Sequence, residues 1–292
     1  MNTGLFFCLL GAVSFGLLGA VSKMAERKRC SASGVVVSLL AWAALFMLIC
    51  TLGASSGFNL PGKAAAVAIA CGICGSVAAW AFQVSMKSGK VTTGWLMMNL
   101  STAIPAVVSI WKYHEILTLQ KIGALMLALI ALLLLFWSHG AETSDRAQDR
   151  HIPMWFLMML VILLTNGMSA FGLKVIAGWG LPESAKFPYL TLFYAGGLAS
   201  IALPLLSRGL WPKSKELGWG VAMAALSIGG QVSMAKALNH GVPGHVVFPV
   251  AVGGSVLIVA VAGRLLFRER MNPMSVAGLI TGLIAVVVLS MG

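Results

Sequence analysis

The stretch "GRLLFRERMNPMSVAGLITGLIAVVVLS", Gly263–Ser290, decides the fold. Arg264, Arg268, Glu269 and Arg270 form a charged knot, and an apolar run follows that is long enough to cross a bilayer as a helix. An earlier stretch, "SIWKYHEILTLQKIGALMLALIALLLLFW", Ser109–Trp137, has the same order: a charged knot holding Glu115, then an apolar run. The two read as copies, each closing one unit of the chain.

Working outward, apolar runs of this kind recur along all 292 residues. The chain is 59% hydrophobic and only 10% charged, where a soluble domain would hold about 25% charged residues. Backbone polar groups cannot stay unpaired in lipid, so the runs must be helical. Barrel strands would alternate polar and apolar residues, and these runs do not. The opening "MNTGLFFCLLGAVSFGLLGAV" lacks a basic leader and is too long for a signal h-region, so it reads as an uncleaved span. The net charge of +12 resides in short connections, a pattern of membrane orientation rather than of nucleic-acid binding. Of five cysteines, Cys8, Cys50, Cys71 and Cys74 lie in apolar runs, which argues against a disulfide framework. "CGIC" has no second ligand pair and reads as helix packing. His240 and His245, around Gly241 and Pro243, read as a loop turn rather than a zinc site. No metal and no cofactor are expected.

The spans number ten: 3–22, 34–53, 64–86, 91–111, 119–138, 153–174, 187–206, 216–236, 243–263 and 273–291. The longest polar interruption is "SHGAETSDRAQDRH", Ser138–His151. The expected organisation is therefore 1–138 as a first five-span repeat, 139–151 as a polar linker and 152–292 as a second repeat. Lys23 falls opposite Lys174 at an offset of 151, Gly89 opposite Gly241 at 152, and Glu115 opposite Glu269 at 154. "QVSM" at Gln83 and Gln231 has an offset of 148, about one turn out of register. Five is odd, so the copies must insert with opposite orientation. That places a substrate site near the midplane between inverted repeats. The expected fold is an all-α integral membrane protein, ten transmembrane helices forming two inverted five-helix repeats around a central cavity.

With these features the sequence resembles the drug/metabolite transporter superfamily, in its ten-span EamA-like members. The closing motif of each repeat carries the resemblance: Glu269 followed by Gly278 and Gly282, and Glu115 followed by Gly123 at a shortened spacing. The resemblance implies a transporter of small metabolites, often outward, through a cavity between the repeats. Members carry amino acids, nucleotide sugars, sugar phosphates, cations or drugs. The short relatives exchange protons through a glutamate in their first span, and this chain has none there.

None of the eight carboxylates falls in mid-span, which disfavours a carboxylate proton relay. Buried amides must find partners, so Asn99, Asn166 and Gln231 are expected to line the cavity, with Gln83 a weaker candidate. Lys174, and Lys23 opposite it, either snorkel to the headgroups or attract a carboxylate or phosphate. Pro105 and Pro249 interrupt spans four and nine, freeing carbonyls. Trp80, Trp95 and Tyr194 are the deep aromatics; an aromatic cage built from them would suit an organic cation. Trp111, Trp137, Trp155, Trp179, Trp211 and Trp219 fall at span ends and suit an interfacial belt. In the knot, Glu269 should partner an arginine or a helix end. No nucleophile or metal constellation suggests an enzyme, and no filter-like loop suggests a channel.

The expected function is a secondary transporter, an exporter of an amino acid or related zwitterion or anion, in the inner membrane of a prokaryote. Its partners are a small-molecule substrate and membrane lipid, with no nucleic acid. Alternate connections carry 14 and 6 of the 20 basic residues. The richer face is therefore expected in the cytoplasm and the termini outside.

Overall fold

Without water, backbone groups pair best within their own segment, and among the described residues the regular structure is helical. The computed structural model describes residues 3–53, 57–87, 89–101, 104, 118–143, 152–179, 185–240, 242, 247, 249–269 and 272–291. Its helices are α1 (Thr3–Arg27), α2 (Ala32–Gly53), α3 (Gly62–Ser85), α4 (Val91–Leu100), α5 (Leu119–Thr143), α6 (Ile152–Gly178), α7 (Lys186–Leu206), α8 (Ser214–Asn239), α9 (Gly254–Leu265) and α10 (Pro273–Met291). A π-helical turn, Pro249–Gly253, leads directly into α9.

The helices fall on the expected spans, with two kinds of difference. α1 runs on to Arg27 and α5 to Thr143, beyond the apolar segments. In α1 the added residues Lys, Met, Ala, Glu and Arg are good helix formers, so that helix outlasts the hydropathy. In span nine, Pro249 has no amide hydrogen to give, and the chain takes a wider turn there before resuming as α9. Pro105, Glu115, Gly241, His245, Arg270 and residues 144–151 lie outside the described residues.

Among the described residues, five helices are long and apolar enough to cross a membrane: Thr3–Arg27, Ala32–Gly53, Gly62–Ser85, Lys186–Leu206 and Ser214–Met234. Side-chain size shows which way they face. On α1 the buried positions are Gly4, Cys8, Gly11, Ala12, Gly16, Gly19 and Ala20. The exposed ones are Leu5, Phe6, Leu9, Leu10, Val13 and Leu17. α5 repeats the division, with Ala124, Ala128 and Ala131 inside and Ile122, Met126, Leu129 and Leu133 outside. Water would not tolerate that outer face, but lipid does, and small inner residues let helices approach closely.

The pairing of helices follows a rule. α1 packs on α8, and α6 on α3. α2 packs on α8, and α7 on α3; α1 packs on α9, and α6 on α4. α5 packs on α10, α2 on α7, and α4 on α9. Exchanging α1–α5 for α6–α10 turns each of these pairs into another pair or into itself. One close crossing is α3 on α7. A Cβ added to Gly72 would overlap the Phe193 carbonyl, and one at Gly197 would lie 2.8 Å from the Gly72 carbonyl oxygen. Ser76 and Ser200 share a hydrogen bond of 2.8 Å at the same crossing.

Candidate functional site

Where α1 gives way to α2, α3 ends and α7 gives way to α8, the bundle opens into a cavity of about 710 Å³. Leu205, Leu210, Trp211 and Cys30 supply its apolar wall, and Glu26, Arg29, Lys87, Lys213 and Glu216 its charge. A second cavity, of about 270 Å³, is lined by apolar side chains such as Met97, Leu133, Met159 and Leu160. It has little with which to orient a polar ligand. The first is therefore the chemical feature.

Its walls are built by two helix endings. α1 ends in a Schellman motif: the Arg29 amide donates to Glu26 O at 2.8 Å and the Cys30 amide to Ala25 O at 3.2 Å. α7 ends the same way, with the Gly209 amide on Leu206 O at 2.9 Å and the Leu210 amide on Leu205 O at 3.2 Å. This motif needs a left-handed residue. α7 uses Gly209 at φ 67°, whereas α1 uses Arg29 at φ 55°.

Charged side chains tie this face together through backbone groups. Glu216, 2% exposed in the first turn of α8, accepts from the Ser31 and Lys213 amides, each at 2.8 Å. The first contact reaches the start of α2, where Gly34 leaves room: a Cβ there would collide with the Glu216 carboxylate. Glu269 accepts from the Val91 amide at 2.8 Å and the Thr92 hydroxyl at 3.1 Å. Of its two expected partners, an arginine or a helix end, the structure gives the helix end, the start of α4. A carboxylate suits that end because its amides are unpaired and its dipole is positive. Lys23 pairs with Glu26 at 3.1 Å and also donates to Met86 O at the end of α3. Arg27 donates to Phe267 O at 2.6 Å and lies 4.9 Å from the Phe267 ring centroid.

Of the seven residues singled out from sequence, none of the six with described side chains lines this cavity. Trp80 comes nearest, donating its indole N–H at 3.2 Å to Ser33 Oγ on the cavity wall. Trp95 donates to Ser255 Oγ on α9 at 3.0 Å and sits edge-on to Phe82, 5.6 Å between centroids. Its ring abuts Gly19, where a Cβ would be 3.1 Å away. Asn99 donates to Trp95 O at 2.7 Å within α4. Asn166 donates to Met98 O at 2.9 Å and Ser101 Oγ at 2.7 Å, joining α6 to the end of α4. Tyr194 lies 3.4 Å from the Ser227 hydroxyl. Gln231 is half-buried on α8. Lys174 falls within α6, but its side chain lies outside the described residues. Gln83 is 3% exposed, and its Nε2 finds no hydrogen-bond partner among the described residues.

One expectation is overturned. Trp155, assigned to the interfacial belt, is 2% exposed. It turns inward because Gly89 has no side chain to fill the space beside its indole nitrogen. Trp137 and Trp211 are exposed as a belt requires. Sequence reading did not find Arg29, Lys87, Lys213 and Glu216 as wall residues. The signal is charge at the α1–α2, α3–α4 and α7–α8 boundaries, but sequence order does not show that these boundaries share one cavity.

An all-helical bundle with small residues inside, bulky apolar residues outside and a charged mouth at one end is a polytopic membrane protein. Residues 2–137 match the EamA-like transporter family. The match covers a little under half of the chain; it is a likeness to a family of membrane transporters, and it agrees with the drug/metabolite transporter superfamily. No curated protein matches the chain significantly. A crystal structure of a protein 15% identical to this chain is similar over 97% of each chain, with a TM-score of 0.56. At that identity the likeness concerns the fold alone.

Proposed function

We propose that the protein is a secondary transporter. It exports a small polar metabolite, an amino acid or related zwitterion or anion, across the cytoplasmic membrane of a prokaryote by alternating access. Its halves act as inverted five-helix repeats, 1–138 and 152–292, about a central path. The observation that carries this reading is that the most extensive helix pairs map onto one another, or onto themselves, when α1–α5 and α6–α10 are exchanged. Opposed repeats of this kind rock about a fixed midplane site.

The path is expected to be lined by Asn99, Asn166, Gln231, Trp80, Trp95 and Tyr194, with Lys174 at its edge. Two amides support a polar substrate. Asn166 uses its nitrogen on Met98 and Ser101, which leaves its oxygen to accept from an ammonium. Gln231, half-buried, has no hydrogen bond to another described residue. An organic-cation cage is the weaker reading, because Trp95 is already packed by Phe82 and Gly19. The π-helical turn at Pro249 supports a break in span nine, a feature that recurs at transport sites.

The test is flux in proteoliposomes. Uptake of a labelled amino acid should saturate and be accelerated by counterflow. Lys174→Met should reduce transport of a zwitterion or anion at least about tenfold, equivalent to ~1.4 kcal/mol, with the thermal midpoint unchanged. Linear, non-saturating flux would replace the carrier with a channel.

A further inference from the structure

We infer that the cavity between the α1–α2 and α7–α8 connections binds a carboxylate- or phosphate-bearing anion, held by Arg29, Lys87 and Lys213. This deepens the transporter reading, on which the site's role as an entry point rests. Binding itself stands on the geometry.

The cavity wall carries charges of both signs, but the two carboxylates are engaged. Glu26 is paired with Lys23, and both oxygens of Glu216 accept backbone amides. The side chains of Arg29, Lys87 and Lys213 make no hydrogen bond or ion pair with any described residue. Three cations and two carboxylates line one volume of about 710 Å³, and Lys23, outside the lining, takes up the charge of Glu26. The three lie exposed at the mouth, and clustered cations beside a partly apolar wall raise the local concentration of anions.

The backbone at Arg29 is a further feature, one that Arg268, away from the cavity, shares. A left-handed residue other than glycine costs free energy, and such residues persist at ligand clamps. α7 solves the same ending with Gly209, next to the same cavity. Keeping an arginine at the corresponding place on α1 puts a guanidinium fork, suited to bidentate carboxylate or phosphate, on the cavity wall. Ser33 adds a donor, since its oxygen already accepts from Trp80 and its hydrogen remains free to give. Trp211, 74% exposed at the rim, offers a flat apolar surface beside the charge.

Two sources supply this chemistry, a soluble anion and an anionic lipid headgroup, and one experiment separates them. The full-length protein is placed in phosphatidylcholine nanodiscs and titrated with inorganic pyrophosphate, reading tryptophan fluorescence and the thermal midpoint. A parallel sample replaces part of the lipid with phosphatidylglycerol. Pyrophosphate should bind and raise the midpoint, less so at high salt. Lys87→Gln and Lys213→Gln should each weaken binding about fivefold, and Arg29→Gly at least about tenfold. Arg29→Gly should also leave the unliganded midpoint equal or higher, because glycine suits the left-handed position. A merely structural arginine would give the opposite, a lower midpoint and unchanged binding, and would overturn the proposal. A midpoint raised by phosphatidylglycerol alone, and lost in the triple variant, would assign the site to a headgroup. No response to either anion, or a response that survives the triple variant, overturns it. Counterflow on the same samples keeps the two readings apart. Binding without flux leaves the site standing and removes the carrier; flux without binding does the reverse.

Discussion

Gly72→Leu should abolish accumulation of monodisperse protein, and Gly72→Ala should already lower the thermal midpoint by several degrees. The α3–α7 crossing is backbone against backbone. Even a single Cβ at Gly72 meets the Phe193 carbonyl, its carbonyl carbon and its Cα. No rotamer relieves an overlap with backbone, so the helices must separate. That forfeits the Ser76–Ser200 hydrogen bond and the close approach of Gly196 to Ile69. Overpacking of this kind costs about 3 kcal/mol or more. Gly218→Ala is the control. Nothing lies within 4 Å of a Cβ there, and alanine is favoured over glycine in a helix by ~1 kcal/mol. The midpoint of that variant should hold or rise. Equal losses in both variants would show that helix propensity, not the crossing, governs stability.

Glu269→Ala should destabilise the protein by about 2–3 kcal/mol, the cost of leaving partly buried donors without a charged acceptor. The Val91 amide and the Thr92 hydroxyl both lose their partner. The knot is tight: a Cβ at Gly263 would lie 2.8 Å from Thr92 Oγ1 and 2.9 Å from Glu269 Oε2. Glu269→Gln should recover about half the loss, since its one oxygen can accept and its nitrogen cannot. Thermal unfolding in detergent measures the series. Hydrogen exchange at the first amides of α4 should rise in Glu269→Ala before it rises elsewhere. Unaltered exchange there would mean that the contact does not hold the start of α4.

The helical segments were legible because hydropathy is a property of single residues summed over a window, and lipid imposes no other condition on a span. Contacts between distant segments are not such sums. Gly62 and Gly72 are the same letter in one helix, yet one meets nothing and the other meets Phe193. Trp155 and Trp211 both fall at span ends, and Gly89 alone sends the first inward. Glu216 could be placed at the start of span eight, but its reach to Ser31 depends on the absence of a side chain at Gly34, in another helix. The cavity mouth was hidden for the same reason. Its cations come from separate connections, and sequence order does not say that they share one space. The deep amides were visible because burial of a polar group in an apolar run is a local signal.

The reversal of size along α1, small residues inward and bulky ones outward, means that volume and polarity carry separate information there. At Gly4, Gly16 and Gly19 a mutational scan should rank substitutions by cubic ångströms, because a Cβ already presses on Val242, Ile258 and Val259. At Leu9, Val13 and Leu17 it should be indifferent to size and intolerant of charge. The two tolerance profiles would run along one helix out of phase, so that a periodogram of the scan recovers the helix's orientation in the bilayer without any coordinates.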